Sequence, residues 1–172
     1  DAYAGQTSGN TNFKYTGNFG QNPIMVPPST DPIVLTKEVT PSNIMVPPGT
    51  VTYTISLENT TDQLITVDRI IDAMPTPIDG WFTFVDETVD SDATPANSSS
   101  LPIVGTGDTL TWVGNEPETN PYFSYLISPF STFVIVYTVD IDENTPDGVY
   151  TNEAYAVSGT YTTPPATATV SV

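Results

Sequence analysis

From Val51 to Glu58 apolar and polar residues take strict turns: Val51, Tyr53, Ile55 and Leu57 alternate with Thr52, Thr54, Ser56 and Glu58. Successive side chains of an extended strand point to opposite faces, so a period of two puts one face in a core and leaves the other in water. The stretch Lys37–Asn59 thus reads as the end of one strand, a proline-stiffened connection closed by Gly49, and a second strand. The same grammar repeats along the chain, with strands expected at Ile33–Thr40, Thr50–Asn59, Gln63–Ile71, Trp81–Asp86, Thr109–Val113, Thr132–Ile141, Tyr150–Ser158 and Ala166–Val172. Shorter candidates lie at Leu101–Val104 and Phe123–Ile127. Breaks carry turn chemistry, as in Asn59-Thr-Thr-Asp62, Asp79-Gly80 and Pro146-Asp-Gly148. Strands at this spacing without intervening helical periodicity predict an all-β, two-sheet sandwich. Thr132–Ile141 is apolar on both sides, which marks it as a central strand.

Composition removes several function classes. The 172 residues contain neither Cys nor His, which excludes disulfides and thiolate metal sites and removes the commonest general base. Three basic residues face 20 acidic ones, for a formal net charge of -17. Such a balance argues against nucleic acid and anionic membrane surfaces and favours cations. The sequence has no apolar run long enough for a transmembrane helix, so membrane insertion is not expected. Without His, Cys, a nucleophile elbow or a phosphate loop, and with no carboxylates marked as a facing acid and base, the chain does not read as an enzyme. Charged residues make up only 13%, so the surface is built from Thr, Ser, Asn and Gly, as suits an extracellular β-protein. The first residue, Asp1, is consistent with removal of an export signal.

Two segments follow from this reading: an N-terminal extension over residues 1–32 and a sandwich over residues 33–172. The extension is rich in Gly, Asn, Thr and Gln, but Ile24-Met-Val-Pro-Pro28 recurs as Ile44-Met-Val-Pro-Pro48 twenty residues later. At that offset Phe13 falls over Ile33, Tyr15 over Leu35 and Phe19 over Val39, so the apolar phase of the first body strand is repeated in the extension. The extension reads as a surplus opening strand.

The body resembles a surface-protein repeat family of bacteria and archaea, the domain of unknown function eleven. The resemblance rests on Leu35-Thr-Lys37, Pro48-Gly-Thr-Val-Thr-Tyr53, Asn59, Asp72-Ala-Met-Pro75 followed by Phe82-Thr-Phe-Val85, Leu110-Thr-Trp112, and Asp147-Gly-Val-Tyr-Thr-Asn152 with Ala154. It implies an immunoglobulin-like sandwich in a secreted or cell-surface protein and says little about function. Family members usually occur as tandem repeats, whereas this chain carries one copy with an added N-terminal strand.

Several constellations are candidates for chemistry. Asp140, Asp142, Asn144 and Asp147 alternate oxygen donors as a Ca²⁺ site requires, although no EF-hand glycine stands among them and a solvated strand-end turn uses the same residues. Lys37 and Asn152, with Glu153 or Glu58 as the acid, have the residue types of an intramolecular isopeptide bond like those that reinforce Gram-positive pilins. An ordinary hydrogen bond or ion pair is the simpler expectation for them. Asn59-Thr-Thr61 and Asn97-Ser-Ser99 match the glycosylation acceptor pattern.

The sequence therefore predicts a secreted structural subunit that assembles with copies of itself, head to tail, into an extracellular pilus-like filament. In this reading the edge of a sandwich accepts the N-terminal strand of a neighbour, with Phe13, Lys14, Tyr15, Phe19, Ile24 and Val26 at the subunit interface. Ten extended residues span about 33 Å, the length of such a domain. The alternative is a monomeric cell-surface adhesin or stalk module, stabilised by Ca²⁺ or not.

Overall fold

The computed structural model describes residues 31–44, 46–75, 81–91, 102–105, 109–113 and 125–172. Among these residues twelve strands follow one another: β1 (Ile33–Thr40), β2 (Gly49–Asn59), β3 (Ile65–Val67), β4 (Arg69–Ala73), β5 (Phe82–Ser91), β6 (Ile103–Val104), β7 (Thr109–Val113), β8 (Tyr125–Ile127), β9 (Thr132–Ile141), β10 (Val149–Ser158), β11 (Tyr161–Thr162) and β12 (Ala166–Ser171). Among the described residues there is no helix. One sheet has the order β1-β2-β9-β5; the other runs β11-β10-β4-β7-β6, with β12 also paired to β10. All named strand pairs are antiparallel. The two sheets form an immunoglobulin-like sandwich, as the alternation in the sequence requires.

The alternation explains the packing directly. Val51, Tyr53, Ile55 and Leu57 of β2 and Ile135, Tyr137 and Val139 of β9 are fully buried. They meet Ile70 of β4, Leu110 and Trp112 of β7, and Ala154 and Ala156 of β10. The Tyr137 ring is shared: it stacks on Tyr53 at 5.4 Å within its sheet and meets Trp112 of the facing sheet at 5.5 Å. Strand β9 lies between β2 and β5, the central place its two apolar faces predicted.

Three segments differ from the sequence reading, one of them the short β11, which pairs with the end of β10 where no strand is expected. The strand expected at Gln63–Ile71 is divided, because β3 pairs with β8 as a small separate ribbon while β4 joins the second sheet. Asp68 sits at the switch and its backbone N–H donates to the Val157 carbonyl at 2.8 Å. Strand β5 continues to Ser91, past the Asp86 end expected from the sequence, after a register shift between Val85 and Asp90.

The ends of the sandwich are distinct. At one end Thr60 donates its N–H to Pro32 O and its hydroxyl to Asp31 O, so the chain enters beside the close of β2. At the other, Val172 and Gly148 exchange backbone hydrogen bonds of 2.9 and 3.0 Å, and Ile44 N–H bonds Ser171 O. Residues 31 and 172 therefore lie at opposite ends.

Candidate functional site

Polar residues at inward positions are the exception to the alternation, and three of them meet. Along β1 the inward phase runs Ile33, Leu35, Lys37, Val39; along β4 it runs Ile70, Asp72; along β10 it runs Tyr150, Asn152, Ala154. Lys37 belongs to one sheet, Asp72 and Asn152 to the other. Their side chains lie in the core between the sheets, with Asp72 and Asn152 fully buried and the Lys37 side chain without exposed surface.

The contacts are direct. Lys37 Nζ bonds Asp72 Oδ2, and the amine also donates to the Tyr137 hydroxyl at 3.1 Å. Tyr137 donates to the same Asp72 oxygen at 2.6 Å. Asn152 Nδ2 donates to the Tyr137 hydroxyl at 2.9 Å and lies 3.9 Å from Met74 Sδ. The remaining oxygens, Asp72 Oδ1 and Asn152 Oδ1, have no hydrogen-bond partner. Aromatic rings wall the amine: Nζ lies 4.9 Å from the centre of Tyr53 and 5.4 Å from that of Tyr137.

Electrostatics follows from burial. Removal from water disfavours every charged form, which pulls the Lys37 amine below its ordinary range against the opposing pull of Asp72. Burial likewise pushes the Asp72 carboxyl up, opposed by Lys37, Tyr137 and Asn152. Both shifts favour a neutral amine beside a protonated acid. A neutral amine is a nucleophile, a protonated carboxyl is a proton donor, and a carboxamide is an acyl group with an amine to lose. Protonation of Asp72 would also supply a donor where two buried acceptors now lack one.

Lys37 and Asn152, paired in the sequence reading, are thus brought together. The acid is corrected. Glu153 and Glu58 occupy outward positions and are exposed, so neither reaches the core; Asp72 takes the place assigned to them. Asp72 was missed because it was read only as part of the Asp72-Ala-Met-Pro75 motif, yet an acid at an inward strand position opposite an inward lysine is the signal that finds it. Tyr137 shares the inward phase of β9 with Ile135 and Val139, and its hydroxyl is what distinguishes it from those two.

The other sequence candidates fare differently. Asp140 Oδ1 accepts from Thr50 at 2.8 Å, while Asp142 Oδ1 accepts from the backbone and side chain of Asn144, both at 2.8 Å. These hydrogen bonds hold the Asp142 carboxyl below its ordinary range. Asn144 thus caps Asp142 within the turn while Asp140 is tied to the neighbouring strand, and among the described residues no group of three acidic side chains converges as a metal site. Asn59 is corrected as well: it is fully buried, donating Nδ2 to the carbonyls of Gln63, Ile127 and Ser128 at 2.7–3.1 Å. Its Oδ1 accepts from both N–H and hydroxyl of Thr61, so in the folded chain it is a structural hub and not a sugar acceptor. Asn97, and the interface candidates Phe13, Lys14, Tyr15, Phe19, Ile24 and Val26, lie outside the described residues.

No protein-family model matches the chain, and no curated protein matches it. Among solved structures it is similar to the N-terminal domain of a Streptococcus gordonii adhesin, at 15% identity and a TM-score of 0.55. That likeness covers 80% of this chain and 32% of the other. It is also similar to a protein from Corynebacterium diphtheriae described as membrane anchored, at 13% identity and a TM-score of 0.53, over 83% of this chain and 36% of that one. The chain spans about a third of each of these proteins. At such identities the likeness establishes the shared sandwich fold.

Proposed function

We propose that this chain is a structural module of an extracellular, cell-surface assembly whose sandwich locks itself with an amide between Lys37 and Asn152. The observation that carries the reading is a buried amine, acid and carboxamide within one hydrogen-bonded cluster, in a chain that has no cysteine to staple it. In the reaction the Lys37 Nζ lone pair attacks Asn152 Cγ and the carbonyl pair moves onto Oδ1, which protonated Asp72 stabilises. Collapse re-forms the C=O and breaks the Cγ–Nδ2 bond. Nζ gives up one proton, Nδ2 gains one, and ammonia leaves; Asp72 ends as it began. The product ties β1 of one sheet to β10 of the other, and residues 31 and 172 lie at opposite ends of the module. A pull between those ends then meets a covalent bridge across the sheets instead of strand pairing alone.

The bond is tested by intact mass. The purified chain should weigh less than its sequence by one ammonia, and Lys37→Ala or Asn152→Ala should restore the sequence mass. A wild-type chain at full sequence mass contradicts the reading, and loss of one water instead would assign the bond to Asp72.

At the next level, the module assembles head to tail by donation of its N-terminal strand. Support comes from the repeated apolar phase at Phe13, Tyr15 and Phe19 and from entry of the chain at the end opposite Val172. A head-to-tail contact of this kind repeats without closing. Full-length protein should form fibres in negatively stained images, and removal of residues 1–22 should abolish them. Fibres of unchanged stability from the truncated chain would overturn strand donation, and compact single particles from the full-length chain would point to a monomeric adhesin or stalk module.

A further inference from the structure

We infer that Tyr137 is a catalytic residue of amide formation, carrying the proton from Asp72 to the departing nitrogen of Asn152; the inference rests on the Lys37–Asn152 reading above. The attack by Lys37 is only half of the reaction. An amide nitrogen leaves only after it has gained a proton, because expulsion as an anion from a dry core is prohibitively costly. The proton originates on the Lys37 amine, and the acid that receives it, Asp72, bonds Nζ through Oδ2. The Tyr137 hydroxyl stands between this oxygen and the leaving group: it is 2.6 Å from Asp72 Oδ2 and 2.9 Å from Asn152 Nδ2.

In the resting arrangement Nδ2 donates to the phenol and the phenol donates to Asp72. A planar carboxamide nitrogen has no lone pair to offer, so this is the only direction in which the chain of bonds can run. Once Nζ has added to Cγ, Nδ2 becomes a tetrahedral amine with a free lone pair. The hydrogen bonds then reverse. Asp72, which has handed its own proton to the oxyanion and taken one from Nζ on Oδ2, donates to the phenol oxygen as the phenol passes its own proton to Nδ2. As the C=O re-forms its oxygen returns the proton to Asp72, the Cγ–Nδ2 pair leaves with ammonia, and both Tyr137 and Asp72 recover their starting protonation. No oxidant or co-reactant is consumed.

The position is fixed by the fold. Tyr137 is fully buried at the centre of β9, opposite Tyr53 in the sheet, with its ring held by Tyr53, Phe84 and Trp112 at 5.4, 6.0 and 5.5 Å. Packing accounts for the ring, but the same packing would accept phenylalanine. The hydroxyl contacts Lys37, Asp72 and Asn152 simultaneously, a place that packing does not explain.

The test is Tyr137→Phe, which keeps the ring and deletes the oxygen. Full-length chains are made in a stopped cell-free synthesis and the loss of ammonia is followed by mass against time. Loss of a positioned proton donor should slow bond formation by about 10²–10⁴-fold, with circular dichroism showing the wild-type fold. Wild-type kinetics in Tyr137→Phe would overturn the role. If that variant does not fold, 3,5-difluorotyrosine placed at position 137 retains the hydrogen bonds while making the phenol more acidic. A relay requires its rate and pH profile to change, whereas a superimposable profile contradicts it. Failure of the parent reading is separately visible, as a wild-type chain that never loses ammonia.

Discussion

Lys37 and Asn152 stand on opposite sheets of the sandwich and donate hydrogen bonds to one and the same atom, the hydroxyl oxygen of Tyr137. The two residues are far apart in sequence, so an amide between them closes most of the domain into a covalent loop. By the chain-entropy model used for disulfides, closing a loop of roughly 100 residues stabilises a fold by about 4–5 kcal/mol. Asn152→Ala should therefore retain the sequence mass and melt roughly 10–20 °C below wild type. Calorimetry of the two proteins checks this, and equal melting temperatures would count against a cross-linked wild type.

Asp72→Asn should stop the reaction while Glu153→Gln leaves it untouched. The first removes the proton donor beside the amine. The second alters an exposed, outward-facing residue. Intact mass of both variants decides between Asp72 and a glutamate as the acid.

Alkaline pH should destabilise the protein in a defined window. Burial pushes the Tyr125 phenol up to about 12 and raises Tyr53 and Tyr137 as well, with the nearby Asp72 charge adding to the latter two. Unfolded tyrosines ionise near pH 10. The unfolded chain thus sheds these protons first, and the stabilisation present below pH 10 is lost progressively as pH rises through about 12. Phenolate absorbance should show this group of tyrosines titrating late, and denaturant midpoints should fall across the same window. Ionisation of every tyrosine near pH 10 without unfolding contradicts the buried hydroxyls.

Asn59→Ala should be among the more damaging single changes outside the cluster. It leaves the carbonyls of Gln63, Ile127 and Ser128 without their shared donor at the end of the sandwich where the chain enters. Loss of about 3 kcal/mol is expected, read as a lower midpoint in urea. A change below about 0.5 kcal/mol, as for ordinary surface sites, would deny Asn59 its role as a hub.

The period-two pattern made the fold legible because side-chain alternation and burial are the same fact seen twice: Val51 to Leu57 and Phe133 to Ile141 were core by phase and are core in space. What phase could not show was where a strand changes sheet, as at Asp68, since both sheets demand the same alternation. At β5 acidic residues continue the strand beyond Asp86, where the apolar alternation stops. For the site, residue chemistry found Lys37 and Asn152, but the acids expected beside them, Glu153 and Glu58, face outward. Phase would have chosen correctly, because Lys37, Asp72 and Asn152 each interrupt an inward-facing apolar series. The Asn59 acceptor pattern was present as a motif, yet a motif carries no information about burial.

The most direct test uses the scarcity of basic residues. Trypsin can cut only after Lys14, Lys37 and Arg69, and acylation of Lys37 removes the middle site. A complete digest of the denatured wild-type chain should yield residues 15–69 covalently joined to residues 70–172, lighter than the two together by one ammonia, with fragmentation placing the link at Lys37 and Asn152. Separate peptides 15–37, 38–69 and 70–172 at their sequence masses would contradict the account.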